Sequence, residues 1–444
     1  MYNSNKEKEE RFMKSSIYTR RILAAILTLF SSLFIFIGCS DSSDISSARI
    51  NEHGDFIITY ADGTEKNVGN IGSEGDTSIT INSSSTDISA ATAKGLTSAV
   101  SIKANFTKAS GGGYGGYFPG YGSSSKDYYA MGSGVIYKLD KDSASAFVIT
   151  NYHVVYDSSS NTQNGISSDI ELYLYGAQAD SQAIPATYVG GSMYYDIAVL
   201  HVSDAPALRG EAVSAVTVSE NEVCVGENAI AIGNPEGAGI SATLGIISVD
   251  SEYITMTAAN GKESVTNRVI RVDTAVNSGN SGGGLYNSRG ELIGIVNAKI
   301  VDDSVENIGY AIPTSVAISV ADNIIDNCYG KDNRSVMRAV LGVSLKVTAS
   351  SAVLDTESGK LAIIETVAVS SVEAGSVAEG VIKSGDVLRS IKVGDETVSV
   401  TRSHKLIDAM LRVREGDEVK ITVERDGVTE VLSIIVPASA FTSH

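Results

Sequence analysis

The chain has few basic residues for its length. Its 444 residues include 34 lysines and arginines against 52 aspartates and glutamates, so the formal net charge is −18. Phosphate backbones are bound by concentrated Lys and Arg, and no basic stripe follows the first few dozen residues. No nucleic acid is therefore expected as a partner, and the acidic balance mainly implies solubility.

The sequence also lacks tryptophan and has only 6 prolines, while 43% of its residues are apolar. Together with 43 glycines and many Val, Ile, Thr and Tyr residues, this composition is typical of a globular protein rich in β structure and turns. The length exceeds that of one typical core, which predicts two or three domains.

The N-terminal segment does not read as part of a fold. A basic stretch precedes a 16-residue apolar run from Ile22 to Ile37, and Cys39 follows. This pattern is typical of an export signal over residues 1–38, and its ending FIGCS resembles a bacterial lipoprotein signal, in which the cysteine carries the lipid. The alternative is an uncleaved membrane-spanning anchor, although such helices need roughly 20 residues. Either interpretation places the protein outside the cytoplasm, anchored at the outer face of a bacterial cell membrane.

Cysteine is scarce in the rest of the chain. Only Cys224 and Cys328 remain, far apart and without the spacing of a metal site. Two thiols and one disulfide are both compatible with this pattern in an exported protein.

Residues 39–90 predict a lipoprotein-like spacer, to which we assign no catalytic or binding role. A polar segment, DSSDISS, leads into a small β-hairpin over Ile50–Gly69, where alternating residues flank an Asp62-Gly63 turn. Residues 70–90 are rich in Ser, Thr, Gly and Asp, which favours a flexible linker.

From about Ala91 the pattern changes to short apolar strands separated by turn residues, which predicts a sandwich or barrel. A Gly/Tyr-rich insertion between Phe106 and Ala130 predicts a surface loop, and Val316, Val320, Ile324 and Cys328 predict a helix that begins near Pro313. The predicted strands are Gly134–Tyr137, Ala146–Thr150, Asp196–Val202, Asn228–Ile232 and Glu291–Ala298. A polar stretch, YGKDNR, then separates this unit from a second compact one.

The stretch VNSGNSGGGLYN places Ser281 among four glycines. Gly/Ser runs are often flexible loops, but bare amides around a serine also suit a nucleophile loop. A serine hydroxyl needs a base, usually a histidine held by a carboxylate. Of five histidines, His153 emerges where a strand ends, whereas His201 lies inside a strand and favours a structural role.

Asp196 opens the apolar segment DIAVLHV, where a carboxylate can orient an imidazole. The resulting order is His153, Asp196, Ser281. The segment Gly279–Gly283 also fits the G-x-S-x-G elbow of α/β-hydrolases, but in that fold the serine precedes the acid and the histidine. The observed order excludes the elbow.

Five segments carry a resemblance to a known family: GSGVIY, TNYHVV, DIAVL, AIGNPEG and DTAVNSGNSGGGLYNSRGELIGI. In order and spacing they resemble the HtrA (Deg) family of trypsin-like serine proteases over residues 91–330. Residues 337–439 resemble the PDZ domain that such proteases carry. The resemblance implies a mostly β protein with a chymotrypsin-like double β-barrel followed by a PDZ domain.

Carried onto this sequence, the resemblance implies Ser281 as nucleophile, His153 as general base and acid, and Asp196 as its orienting carboxylate. The oxyanion hole would be formed by the backbone of Gly279, Asn280 and Ser281, with the N–H groups of the first and last as donors. Gly282 and Gly283 would let the substrate and the next strand approach. No cofactor or metal is expected.

The same resemblance implies the substrates. No acidic residue lies just ahead of the serine, so we expect a pocket for small or medium aliphatic side chains, with walls from Val276 and the segment NAKIVDDSVENIGYAIP. In the C-terminal unit, amides of Leu341, Gly342 and Val343 would bind a peptide carboxylate. The peptide would add beside residues 343–347, against a helix from about His404 to Val413.

The function implied is an extracytoplasmic serine endopeptidase that degrades unfolded or damaged proteins, with PDZ-assisted substrate binding. Members of the family commonly form trimers, so a homotrimer is also implied. One alternative is a non-catalytic, chaperone-like scaffold that binds peptides and keeps the protease fold. A second is an esterase that uses the same three side chains.

Overall fold

The computed structural model describes residues 45–50, 55–60, 65–70, 88–107, 127–177, 182–298, 308–354 and 360–443. The predicted signal or anchor, Cys39, most of the Gly/Tyr-rich insertion and the two histidines His53 and His444 lie outside these ranges. Within them, no helix is both long enough and apolar enough to cross a bilayer.

The strands, in chain order, are β1 (Ile45–Ile50), β2 (Asp55–Tyr60), β3 (Glu65–Asn70), β4 (Ala99–Thr107), β5 (Asp127–Asp140), β6 (Ser145–Thr150), β7 (Asp169–Leu174), β8 (Ile184–Ser192), β9 (Ile197–Val202), β10 (Asn228–Gly233), β11 (Ser241–Thr257), β12 (Ser264–Val272), β13 (Gly284–Tyr286), β14 (Leu292–Val296), β15 (Gly309–Pro313), β16 (Met337–Ala339), β17 (Val343–Leu354), β18 (Leu361–Val372), β19 (Val387–Val393), β20 (Glu396–Ser399), β21 (Glu418–Arg425), β22 (Val428–Ile435) and β23 (Phe441–Ser443). The helices are α1 (Ser89–Leu96), α2 (Tyr152–Val155), α3 (Thr314–Cys328) and α4 (Ser403–Met410).

The first compact unit, which ends at Thr86, contains a three-stranded antiparallel sheet in the order β1-β2-β3. Strands β2 and β3 form the predicted hairpin, but β1 was not predicted. Its sequence, ISSARI, begins within the segment interpreted as a polar spacer, so that expectation is wrong from Ile45 onward. Three apolar residues spaced among Ser and Arg give little alternation, and the strand is recognisable only from its pairing with β2.

The second compact unit, Asp87–His444, begins with two closed six-stranded barrels. The first has the strand order β4-β5-β6-β9-β8-β7, and the second β10-β11-β12-β15-β14-β13. All five predicted strands lie in these barrels. Strands such as β9, IAVLHV, are rich in β-branched residues and buried along nearly their whole length. The two closed barrels confirm the predicted double β-barrel.

Two helices pack on the barrels. Helix α3 begins directly after Pro313, as predicted, and buries Val316, Val320, Ile324 and Cys328 at every fourth position. Helix α1 was not predicted, because only two of its eight residues are buried and both are small. One of them, Gly95, lies so close to the second barrel that a Cβ would meet the Ile232 side chain at 2.5 Å.

The chain ends in a smaller β unit with its own apolar core. A sheet in the order β17-β18-β19-β21-β22 carries β20 as a side branch, and β16 pairs with β23. Strand β17 is paired on one side only, by β18. Helix α4 packs against β17, β19 and β20 and covers this sheet.

Candidate active site

Ser281 lies in a tight loop that precedes β13. Gly279 and Gly282 on either side adopt positive φ angles of 96° and 84°, a conformation that favours glycine. The carbonyl of Asn280 accepts a hydrogen bond from the N–H of Gly283 at 2.9 Å, so the turn is closed on itself. Within the part of the chain that the structure describes, neither the Gly279 nor the Ser281 N–H donates to another protein group.

His153 lies in the four-residue helix α2, directly after the end of β6. Asn151 is extended, with φ −77° and ψ 148°, and turns the chain sharply into this helix. The imidazole is buried, with 5% of the residue exposed. The strand end therefore presents the histidine from a rigid scaffold, as its position in the sequence predicts.

Asp196 makes two contacts with His153. Its Oδ2 lies 2.6 Å from His153 Nδ1, and its Oδ1 accepts a hydrogen bond from the His153 backbone N–H at 3.0 Å. Its own carbonyl accepts bonds from Asn151 Nδ2 at 2.8 Å and from the Tyr152 N–H at 3.2 Å. These bonds hold Asp196 in a left-handed conformation, φ 52°, that few residues other than glycine adopt.

The serine loop packs against the turn that carries the histidine. A Cβ on Gly282 would lie 2.3 Å from Thr150 Oγ1 and 3.0 Å from the backbone nitrogen of Asn151, so only glycine fits between the two loops. On the other side, Ser281 Oγ accepts a hydrogen bond from the Ala298 N–H at 3.2 Å. The structure thus places the buried serine loop against the turn that carries His153, while Asp196 contacts His153 directly.

The neighbouring glycines lie against barrel backbone. A Cβ on Gly282 would also meet the Ser133 carbonyl oxygen at 2.2 Å, and one on Gly283 would meet the Ile232 carbonyl oxygen at 2.3 Å. Because Ile232 of β10 pairs with Gly284 of β13, the missing side chain at Gly283 allows these two strands to approach. The expected approach of a substrate chain stays a prediction.

Comparison with known proteins identifies two domains in the chain. Residues 132–295 match the trypsin-like peptidase domain family, and residues 339–436 match the PDZ domain family. The serine protease Do-like HtrA of Lactococcus lactis subsp. cremoris (strain MG1363) is 33% identical over 369 residues, which cover 79% of this chain and 82% of that protein. The chain belongs to the HtrA family of serine proteases.

Other HtrA relatives are similar over less of their length. The serine protease Do-like HtrA of Bacillus subtilis is 32% identical over 69% of this chain and 64% of its own length, and the periplasmic serine endoprotease DegP of Salmonella typhimurium is 32% identical over 63% and 51%. Among solved structures, an HtrA-type protease AlgW with a tripeptide is 25% identical, covers 79% of this chain and 97% of its own, and has a TM-score of 0.48. The two family matches and the HtrA relatives show that this chain is a serine endopeptidase with a trypsin-like domain and a PDZ domain.

One buried residue of this HtrA site was missed in the sequence. Asn297, at the end of β14, donates from Nδ2 to Asp196 Oδ2 at 2.8 Å. The same carboxylate oxygen therefore faces both the imidazole and an amide donor. A polar residue directly after the fully buried strand Leu292–Val296 is the one signal that could have identified it.

Only part of the expected pocket for aliphatic side chains lies within the residues that the structure describes. Val276 is buried and packs closely against Gly309, where a Cβ would meet its Cγ2 at 2.8 Å. Most of the other segment assigned to the pocket, including Asp302, Asp303 and Glu306, lies outside the described residues.

The residues assigned to the PDZ peptide site lie at the start of the edge strand β17. Gly342 adopts a φ of 76°, and its carbonyl accepts the Glu373 N–H at 2.7 Å. Leu341 is buried in the PDZ core, and Val343 is the first residue of β17. Helix α4 begins at Ser403 and ends at Met410, three residues before the expected end.

The remaining histidine and cysteine candidates are structural. His201 packs its ring 4.9 Å from that of Phe147, with Tyr329 Oη 3.3 Å from its Nε2. Cys224 and Cys328 are both free thiols, so the structure contains no disulfide between them. Burial raises the pKa of Cys328 to about 11, which keeps this thiol protonated and unreactive.

Proposed function

We propose that Ser281, His153 and Asp196 form the catalytic triad of this serine endopeptidase. The observation that carries the proposal is the pair of contacts from Asp196 to the imidazole and backbone of His153, at 2.6 and 3.0 Å, beside the serine loop. A carboxylate in this position fixes the tautomer in which Nδ1 carries the proton and stabilises the imidazolium that forms during reaction.

In the proposed mechanism His153 Nε2 takes the proton of Ser281 as Oγ attacks the scissile carbonyl. The tetrahedral oxyanion is bound by the N–H groups of Gly279 and Ser281, which flank Asn280 and donate to no described protein group. His153 then gives its proton to the leaving amine, and water hydrolyses the acyl-enzyme by the same route. No step uses a metal or a cofactor.

The substrates we propose are unfolded or damaged proteins cut after small or medium aliphatic residues. The uncharged residues before Ser281 and the apolar contact of Val276 with Gly309 support an aliphatic pocket. The one-sided pairing of β17 supports capture of an extended peptide as an added strand, with its carboxylate near Leu341 and Gly342.

We further propose that the enzyme works outside the cytoplasm as a membrane-anchored homotrimer. The N-terminal basic and apolar pattern, with Cys39 as lipid attachment site or an uncleaved anchor, supports this location. Relatives named periplasmic endoproteases are consistent with it. The proposed domain bounds are 1–38, 39–90, 91–330 and 337–439.

Incubation of unfolded casein with the wild-type protein, Ser281→Ala and His153→Ala tests this function. Cleavage by the wild type alone is the expected result, whereas binding without cleavage by all three would indicate the scaffold instead. A parallel assay with a small ester and a peptide amide separates an esterase from a peptidase. Mass spectrometry of the mature N-terminus distinguishes lipidated Cys39 from an anchor.

A further inference from the structure

Ser133 lies in β5 of the first barrel, yet it contacts the nucleophile loop of the second. Its hydroxyl donates to the Gly279 carbonyl at 2.7 Å, and its backbone N–H donates to the Ser281 carbonyl at 2.8 Å. Ser133 is fully buried, with 1% of the residue exposed. One residue therefore holds the carbonyls of both proposed oxyanion-hole donors.

The Ser133 hydroxyl is held in turn by the second barrel. It accepts the backbone N–H of Asn234 at 2.8 Å, directly after β10. The Asn234 side chain donates to Ser101 Oγ of β4 and accepts the Gly239 N–H at 2.7 Å. The Ser133 carbonyl accepts Thr150 Oγ1 at 2.7 Å, at the end of the strand that leads to His153. Hydrogen bonds thus fix Ser133 from both barrels.

The glycines beside Ser133 fix its position within the first barrel. A Cβ on Gly132 would meet Val154 Cγ1 at 2.5 Å, and one on Gly134 would meet Val148 Cγ1 at 2.8 Å. The segment Gly132-Ser133-Gly134 therefore packs closely against the histidine turn and the strand before it. Ser133 thus contacts the loop of the second barrel from a closely packed part of the first.

Each peptide unit is planar, so these two bonds hold the Gly279–Asn280 and Ser281–Gly282 units in place. The Asn280–Ser281 unit, which carries the Ser281 N–H, is therefore held at both ends. Because Ser133 holds the Gly279 carbonyl, the ψ angle of Gly279 is fixed, although a glycine is otherwise free to rotate. The Asn280 carbonyl and the Ser281 N–H belong to one trans peptide unit and point in opposite directions. Because the carbonyl accepts the Gly283 N–H, the Ser281 N–H points away from Gly283. We propose that Ser133 is a positioning residue that aims the Gly279 and Ser281 N–H groups at the oxyanion, an inference that rests on the proposed function of this site.

The test is the substitution Ser133→Ala, with Ser98→Ala as the matched control. Ser98 is equally buried, and its hydroxyl also donates to a glycine carbonyl, that of Gly95 at 3.0 Å. It also lies 3.2 Å from Tyr286 Oη in β13, but it makes no hydrogen bond to Gly279 or Ser281. We expect Ser133→Ala to lower kcat on a peptide substrate on the order of ten- to a hundredfold with KM within about twofold. Ser98→Ala is expected to keep kcat within about twofold, since both bonds that it loses are structural.

A second readout isolates the transition state. A peptide boronic acid forms a tetrahedral, anionic adduct with the serine, so its affinity should fall by the same factor as kcat/KM in Ser133→Ala. Peptide affinity measured in the Ser281→Ala background should stay unchanged. Ser133→Cys, which fills the volume with a poor donor, should lose kcat as the alanine variant does.

The outcomes separate this inference from the proposed function. An inactive Ser281→Ala together with a Ser133→Ala that keeps the kcat of Ser98→Ala would overturn the positioning role alone. A rise in KM with unchanged kcat in Ser133→Ala, or full activity of Ser133→Cys, would also overturn it. Casein cleavage by Ser281→Ala would instead overturn the proposed function.

Discussion

At the scale of single residues, the proposed mechanism depends on how firmly Asp196 is held. Its two carboxylate oxygens and its carbonyl together accept five hydrogen bonds, three on the side chain and two on the backbone. Asn297 supplies one of the bonds to Oδ2, the oxygen that faces the imidazole. Without the Asn297 amide, the Asp196 carboxylate would still contact His153 but would be free to tilt.

We expect Asn297→Ala to lower kcat roughly tenfold, because a hydrogen bond to a charged group contributes about 1.5–3 kcal/mol. KM should change little, since Asn297 acts through Asp196 and not on the substrate. The matched control is Asn323→Ala in helix α3, which removes a buried amide that donates to the Met337 carbonyl of β16. This variant should have a lower melting temperature and an unchanged kcat. Equal kcat in the two variants would contradict a role for Asn297 in orienting Asp196.

The proposed triad was selected from the sequence on chemical grounds, and it stays a prediction. A serine, a histidine and an aspartate each need an unusual setting to react, and the order of Ser281, His153 and Asp196 leaves few arrangements. Asn297 and Ser133 could not be predicted in this way. Asn297 contacts the proposed site through one hydrogen bond to the Asp196 side chain, and Ser133 through bonds to two carbonyls of the serine loop. Only the folded barrels bring these groups together.

At the scale of elements, the nucleophile loop and the histidine turn are two pieces of backbone in direct contact. Gly282 lies between them at a φ of 84°, with the Ser133 carbonyl oxygen 2.2 Å from the position of a Cβ. Any side chain there must displace backbone, since neither the Ser133 carbonyl nor the Asn151 amide belongs to a flexible side chain.

Gly282→Ala should therefore abolish measurable casein cleavage even where the protein still folds. The matched control is Gly261→Ala in the turn between β11 and β12, where φ is 69° but no atom lies within 4 Å of a Cβ. That change costs about 1–2 kcal/mol of left-handed strain and should leave kcat unchanged. Normal cleavage by Gly282→Ala would contradict the tight contact between the two loops.

Long, regularly patterned elements were predictable and short or composite ones were not. Helix α3 follows from apolar residues at every fourth position, and the barrel strands follow from dense β-branched runs. Helix α1 has too few buried side chains to show a period, and β1 carries too little alternation. In both cases tertiary or inter-strand packing, and not local pattern, defines the element.

At the scale of the whole second unit, the PDZ helix α4 lies against the second barrel through charged side chains. Asp408 of α4 pairs with the buried Arg268 of β12 and accepts Ser315 Oγ at 2.8 Å. Among the described residues, four further ion pairs join the PDZ domain to the protease domain: Arg402–Asp250 at 2.9 Å, Lys405–Glu222 at 3.1 Å, Arg414–Asp326 at 2.9 Å and Lys360–Glu227 at 2.5 Å. Sequence reasoning predicted the two domains but not this junction, because ion pairs between distant segments leave no local pattern.

His404 lies in this junction, 3.5 Å from Ser251 Oγ, and makes its stability depend on pH. Burial, together with Arg268, Arg402 and Lys405, lowers its pKa to about 2. The folded protein therefore keeps the ring neutral, whereas the unfolded chain binds a proton below about pH 6.5. Since the unfolded state then binds more protons, stability is lost as the pH falls through that value.

We expect the free energy of unfolding to fall by up to about 2 kcal/mol between pH 7 and pH 5 from this group. Denaturant titrations of His404→Gln should show a flatter pH dependence than the wild type. His201→Gln is the control, because that ring is only half-buried and its pKa is lowered less. Identical slopes for wild type and His404→Gln would show that the ring is not held neutral in the junction.

The most direct measurement of the central claim is the mass of the protein after reaction with a serine-directed fluorophosphonate added while casein is being cleaved. We expect one adduct per chain, located on the peptide that contains Ser281, and none in Ser281→Ala or His153→Ala. Casein cleavage that continues in the wild type without an adduct on Ser281, or labelling of His153→Ala at the wild-type rate, would contradict a triad of Ser281, His153 and Asp196.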